Sequence, residues 1–216
     1  MEDIKGLLED FMSIQLDKDI KIYNEISLQL ELGSYLREKG YTVRFERNIE
    51  YYIDSKSNCK KSDFVKKEID IVAYKTSVSE DEKSVNNKIA IELKFPRKGQ
   101  YPEQMFAFVK DIKFMEQVKT VKGFKETYVL SLVDDHNFYL GETEQGSIYS
   151  YFRNKRNNIS RDIPIKKPTG KNKDIDKIQL ENDYIFEWQE FTQEPTWLDI
   201  EDKDVIEYRY YIIECK

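Results

Sequence analysis

Apolar and polar residues recur with two different periods along the first two thirds of the chain, and each change of period marks an element. In DIKIYNEISLQLELGSYLREKGYTV, the residues Leu28, Leu32, Tyr35 and Leu36 repeat at i, i+4, i+7 and i+8, the spacing of one helical face. Gly40 stands where a helix C-terminus favours a left-handed residue, so a helix is predicted over about residues 20–39. YTVRFERNIEYYI (41–53) alternates with a period of two and reads as a strand. A polar connection around DSKSNCKKSD leads to a second strand at about 64–75. KTSVSEDEKSVNNK is a charged hairpin loop, and the third strand runs from about Lys88 to Phe95. YPEQMFAFVKDIKFMEQVKT returns to helical spacing, with Met105, Phe108, Val109 and Ile112 as an apolar stripe and Pro102 and Glu103 suited to a first turn. KETYVLSLVDD (125–135) has the nearly continuous apolar centre of a strand covered on both faces. The element order is therefore α-β-β-β-α-β. Beyond about residue 141 the pattern loosens, until YIFEWQEF and YRYYII read as added strands.

Two segments of this pattern carry charge where a strand is expected to be apolar. In IAIELKF the side chains alternate, so that Ile89, Ile91, Leu93 and Phe95 line one face and Ala90, Glu92 and Lys94 the other. Asp70 interrupts the apolar run IDIVAY of the preceding strand, and if the two strands pair as a hairpin it reaches the face that carries Glu92 and Lys94. Burying carboxylates costs several kcal/mol unless they are paired or bound to a metal. One outcome is a plain ion pair of Lys94 with Glu92 or Asp70 on a half-exposed sheet face.

Length and composition narrow the class. A chain of 216 residues buries roughly 70% of its unfolded surface without help from disulfides. No repeat or linker interrupts it, so residues 1–216 are expected to form one domain, with a core over about 20–140 and a C-terminal elaboration over 141–216. Cys59 and Cys215 lie far apart and outside any zinc-like cluster, which fits a reducing cytosol. The first twenty residues lack the features of a signal peptide, and no apolar run approaches the ~20 residues of a membrane span. A cytoplasmic protein with no membrane partner is expected. The net charge of −6 argues against nonspecific coating of nucleic acid, though an acidic body can still carry a local basic groove.

The succession of a helix, a hairpin bearing Asp70, a strand bearing Glu92-x-Lys94 and a following helix resembles the PD-(D/E)XK nuclease superfamily. The resemblance covers roughly residues 20–135; Ile69 stands where the motif's name has proline. It implies an α/β fold of restriction endonuclease-like type, a mixed central sheet flanked by helices, here with extra C-terminal strands. It also implies a DNA endonuclease dependent on Mg2+, or Mn2+, with Asp70, Glu92 and the backbone carbonyl of Leu93 as metal ligands. Lys94 would orient or help deprotonate the attacking water. Members often supply a further acid from the first helix: Glu25 lies on the inward face with Leu28, Leu32 and Leu36, whereas Glu31 lies near its edge and is the second choice.

Residues that follow the third strand are candidates for holding substrate: Arg97, Lys98 and Gln100 in FPRKGQYPEQ, then Gln104 on the next helix. The segment 151–173 gathers Arg153, Lys155, Arg156, Arg161, Lys166, Lys167, Lys171 and Lys173 against the single acid Asp162, and is expected to supply phosphate contacts beside the active-site face. His136 reads as a turn residue, and KPTGK lacks the spacing of a phosphate loop. The expected partner is DNA, and a homodimer is left open. A function from another class, a noncatalytic nucleic-acid-binding or scaffold module that keeps the fold, also stands beside the nuclease.

Overall fold

The computed structural model describes residues 3–14, 21–54, 59–75, 82–97, 99–153, 157–171, 173, 175–191 and 208–216. It opens on a helix that the sequence reading passed over, α1 (Ile4–Ile14), whose Ile4, Leu7, Leu8, Phe11 and Met12 are all buried at helical spacing. The helix expected over about 20–39 is shorter, α2 (Glu25–Glu38). Asn24 sets its start: the Asn24 side chain accepts from the Ser27 N–H at 2.8 Å, while the Ser27 hydroxyl accepts from the Asn24 N–H at 3.0 Å. At the other end Gly40, at φ +83, allows the Tyr41 N–H to reach the Leu36 carbonyl at 3.0 Å and its own N–H to reach the Arg37 carbonyl at 2.9 Å.

The next strand, β1 (Thr42–Asn48), stops short of the predicted 41–53. Asn48 ends it, because its side chain accepts from the Glu50 N–H at 3.0 Å and turns the chain into a short 3-10 helix over Ile49–Tyr51. The second strand is likewise shorter than the expected 64–75, β2 (Glu68–Tyr74), preceded by a 3-10 turn over Lys61–Asp63. The strand β3 (Lys88–Lys94), the helix α3 (Tyr101–Lys119) and the strand β4 (Phe124–Val133) fall within two residues of their predicted bounds. Beyond them come β5 (Asn157–Ile159), β6 (Ile165–Lys166), β7 (Lys177–Ile178), β8 (Tyr184–Phe186), β9 (Gln189–Phe191) and β10 (Tyr208–Cys215).

Among the described residues, six strands make one mixed sheet in the order β1-β2-β3-β4-β10-β9, and β5 with β8 and β6 with β7 make two small ribbons. Pairing is antiparallel throughout the large sheet except between β3 and β4, which are parallel and joined through α3. Two layers of core follow from strand alternation. Ile71, Ala73, Ile89, Ile91 and Leu93 pack with α1 and α2, whereas Val72, Ala90, Val129, Val133 and Tyr211 pack with the Met105, Phe108, Ile112 and Met115 stripe of α3. The face of β3 that carries Glu92 and Lys94 is thus the face under α3. Among the described residues no helix is long and apolar enough to cross a membrane.

Candidate active site

Asp70 sits where the sheet opens. The β1–β2 ladder pairs Phe45 with Ile71 and Arg47 with Ile69, leaving Glu46 and Asp70 without a ladder pair between them, and Glu46 takes a left-handed φ of +50. On the other side the β2–β3 ladder ends at Ile71 and Ile91. Side chains replace the missing backbone bonds. The Asp70 N–H points to Glu92 Oε1 at 3.4 Å, and the Asp70 carbonyl accepts from Gln29 Nε2 at 2.9 Å; that amide also donates to Glu46 Oε1 at 2.6 Å. In return Asp70 Oδ2 accepts from the Leu93 N–H at 2.7 Å. The backbone groups released by the parting strands therefore find partners and fix the two carboxylates beside one another.

Glu25, the first residue of α2, continues the same arrangement along the free edge of β3. Its Oε2 accepts from the Phe95 N–H at 3.1 Å and lies 3.3 Å from Lys94 Nζ. Lys94 is thus paired with Glu25, not with Glu92 or Asp70 as the ion-pair alternative supposed. The ammonium that bonds to Glu92 belongs to Lys66, in the connection before β2, and it also donates to Asp111 Oδ1 of α3 at 2.8 Å. Glu92 and Asp111 are both buried, and Asp111 Oδ2 has no hydrogen-bond partner. Glu31 is half-buried on α2, six residues beyond the Glu25 position and without its link to β3.

Four carboxylates, Asp70, Glu92, Asp111 and Glu25, thus share a space with two ammonium groups, Lys66 and Lys94. Burial pushes the Asp70 carboxyl up to about 7, against the Lys66 ammonium and the Leu93 N–H, which favour its charged form. Burial, reinforced by Asp70 and Asp111, holds Glu92 well above the ordinary glutamate range. Asp111 is also raised by burial, with Lys66 and Lys94 opposing. For both lysines burial disfavours the charge but the carboxylates outweigh it: Asp111, Glu92 and Asp70 raise Lys66, and Asp111 and Glu25 raise Lys94. The pocket therefore has a surplus of acid that protons must neutralise when no other cation does.

The expected substrate contacts divide. Arg97 Nε lies 2.9 Å from Asp134 Oδ2 and its Nη1 donates to the Tyr23 carbonyl at 3.2 Å, so its guanidinium ties the end of β3 to β4 and to the approach to α2. Gln100 is exposed and caps α3 in a left-handed conformation at φ +51, and half-buried Gln104 follows it on the helix. Arg153 is engaged internally: Nε donates to the Asn137 carbonyl at 2.8 Å, Nη1 to the Glu142 carbonyl at 3.3 Å, and the guanidinium stacks 3.8 Å above the Tyr149 ring. Lys98, Lys155 and Arg156 lie outside the described residues. The later half of the basic segment comes to the first turn of α3, where the Thr169 hydroxyl bonds to the Glu103 carboxylate. There Lys166, Lys167 and Lys173, with Pro102 and Tyr149, line a cleft of about 420 Å³. His136 opens a 3-10 turn, as its reading as a turn residue expected.

Sequence reasoning missed Lys66, Asp111 and Gln29. Asp111 carried a signal, since it follows Phe108 by three residues and precedes Met115 by four, inside the buried stripe of α3. A larger cavity, about 550 Å³ beside Lys5, Glu9, Phe186 and Tyr210, involves none of the residues of the carboxylate cluster. Among the described residues no group of three or more His, Cys, Asp and Glu side chains is arranged to hold a metal ion. Compared with known proteins, the chain matches no family model, no curated protein and no solved structure.

Proposed function

We propose that the chain is a divalent-metal-dependent nuclease of the PD-(D/E)XK kind that hydrolyses phosphodiester bonds in DNA. The observation that carries the proposal is the opening of the sheet at Asp70, where reciprocal side-chain to backbone bonds bring Asp70 and Glu92 together and Lys94 follows on the same face. The order of α2, three antiparallel strands, α3 and the parallel β4 supports the restriction endonuclease-like topology that the sequence resemblance implies.

The donors suit Mg2+ in kind. They are oxygens, burial and, for Glu92, the neighbouring carboxylates hold Asp70 and Glu92 above their ordinary ranges, and Mg2+ commonly takes one or two carboxylates and keeps several waters. Asp70 and Glu92 would hold it, with the Leu93 carbonyl as the third oxygen; the Leu93 N–H meanwhile fixes the Asp70 carboxylate. When bound, Mg2+ supplies an activated water and positive charge beside the scissile phosphate. Glu25 aims Lys94, and Asp111 and Glu25 favour its charged form against burial, so that it can orient the water or phosphate as a donor. Gln29 holds the Asp70 backbone in place from α2. The cleft lined by Lys166, Lys167 and Lys173 supplies phosphate contacts, while Arg153 stacks on Tyr149 at its border.

One observation favours the alternative of a noncatalytic module: Lys66 already pairs with both Glu92 and Asp111, as in a purely structural ion-pair cluster. Incubation with supercoiled, linear, single-stranded and branched DNA separates the two. The nuclease cuts at least one of them in Mg2+ or Mn2+ and none in EDTA, whereas DNA binding without cleavage under every condition would establish the module.

A further inference from the structure

The ammonium of Lys66 stands between two buried carboxylates, 2.8 Å from Asp111 Oδ1 and bonded to Glu92 Oε2. Two features separate this contact from an ordinary structural ion pair. First, Asp111 is fully buried on α3 yet its Oδ2 is left without a partner, and a buried carboxylate oxygen with none forfeits the hydrogen bonds it had in water. A single ammonium thus leaves the acceptor capacity of the pocket incompletely used. Second, the two partners are anchored very differently from the lysine. Glu92 lies in the middle of the sheet and Asp111 in the middle of a nineteen-residue helix. Lys66 lies in a connection, and its side chain retains access to solvent at 24% exposure.

The backbone around Lys66 does not have to move for the ammonium to leave. The Val65 N–H donates to Gln117 Oε1 at 2.9 Å, Gln117 Nε2 donates to the Asp63 carbonyl at 2.8 Å, and the Ile49 N–H donates to the Lys67 carbonyl at 2.8 Å. The connection is held on both sides of the lysine. Rotation about the side chain's own bonds is enough to carry Nζ from the carboxylates to water.

We propose that Glu92 and Asp111 form a divalent-cation position that Lys66 fills as a built-in counter-ion, and that binding of Mg2+ or Mn2+ displaces the ammonium and recruits Asp111 as a third carboxylate beside Asp70 and Glu92. This rests on the metal-dependent reading above and adds to it a ligand and a gate. The divalent ion brings one more positive charge than the ammonium it displaces, which offsets one further carboxylate of the cluster. The consequence is a site that takes up metal in competition with its own side chain.

The test is Mn2+ binding without DNA, by calorimetric titration, on the wild type, Lys66→Gln, Asp111→Asn and the double variant. Removing the competitor should tighten Mn2+ binding about tenfold, and removing the ligand should weaken it about tenfold or more, the range seen when a metal site loses a supporting group. In the double variant the gain from Lys66→Gln should disappear, because the position it frees lacks its second carboxylate. Wild-type binding that neither single substitution alters would overturn the displacement while leaving the nuclease reading intact. No binding by any of the proteins would overturn both. Because removal of a buried partner can unfold a protein, the wild type is also labelled with an amine-acetylating reagent and read by mass spectrometry. Mg2+ should raise acetylation of Lys66 several-fold relative to the exposed Lys5, and an unchanged Lys66 to Lys5 ratio would contradict the proposal.

Discussion

Replacing Asp70 by asparagine separates the charge of the pocket from its shape. Asparagine keeps an oxygen to accept the Leu93 N–H, which Asp70 Oδ2 now accepts at 2.7 Å, but it has no carboxylate to desolvate. Burial raises Asp70 from the ordinary aspartate value of 3.8 to about 7, a difference of about three units. At ~1.4 kcal/mol per unit, the ionised carboxylate destabilises the metal-free fold by up to about 4 kcal/mol. Asp70 shares its titration with Glu92 and Asp111, so about 2–4 kcal/mol is the range expected for a single substitution. The sign follows from proton binding. A carboxyl with a raised folded-state pKa binds more protons than the unfolded chain between about pH 4 and pH 7, so wild-type stability declines as pH rises through that window and the full penalty stands above it. Urea unfolding in EDTA at about pH 8.5 should therefore find Asp70→Asn more stable by about 2–4 kcal/mol, and at about pH 5, where the unfolded chain's aspartate is already mostly ionised, the difference should shrink to about two fifths of that. Added Mg2+ should then stabilise the wild type and leave the variant unchanged. A variant no more stable than the wild type at the higher pH, or an advantage equal at both pH values, would refute the reasoning.

The remaining predictions concern the chemistry. Lys94→Ala should lose cleavage while keeping or tightening Mn2+ binding in calorimetry, since a cation next to the site is gone; a lowered melting temperature with intact cleavage would instead mark Lys94 as half of a structural pair with Glu25. Glu25→Gln should slow cleavage more than Glu31→Gln, because Glu25 links Lys94 to the Phe95 N–H; equal rates near the wild type would limit α2 to packing. Replacing Lys166, Lys167 and Lys173 with serine should weaken DNA binding measured in Ca2+ and flatten its log–log salt dependence by up to about 2.7, at ~0.9 per phosphate contact. Native affinity with an unchanged slope would remove that cleft from the DNA surface.

What the sequence made legible, and what it did not, divides along local and tertiary lines. The α2, α3, β3 and β4 patterns are written in the spacing of apolar residues, and their observed bounds differ from the expected ones mainly where a side chain captures the backbone, as Asn24 does before α2 and Asn48 at the end of β1. The alternation that puts Glu92 and Lys94 on one face likewise follows from a period of two. Lys66 was hidden among the lysines of a polar connection, because nothing local distinguishes a lysine that folds back over α3 from one that faces water. Asp111 is visible as a charge within an apolar stripe, and α1 as an apolar repeat at Ile4, Leu7, Leu8, Phe11 and Met12, signals as local as those of α2 and α3. The charge of the 151–173 segment read as a uniform cationic surface, whereas Arg153 spends its donors on the carbonyls of a neighbouring loop, a distinction that only the fold makes.

On the proposed function, the carboxylates at the opening of the sheet perform metal-dependent hydrolysis. Its most direct test compares wild type and Glu92→Gln, purified in parallel, on the DNA form the wild type cuts best. Glu92→Gln keeps the volume of a side chain at the centre of the sheet and removes only its charge, so it should remain folded by circular dichroism. The wild type should cleave in Mg2+ or Mn2+, stop in EDTA and resume when metal is restored, and Glu92→Gln should cleave under none of these conditions. Equal cleavage by the two proteins, or a folded wild type that cuts no DNA with either metal, would contradict it.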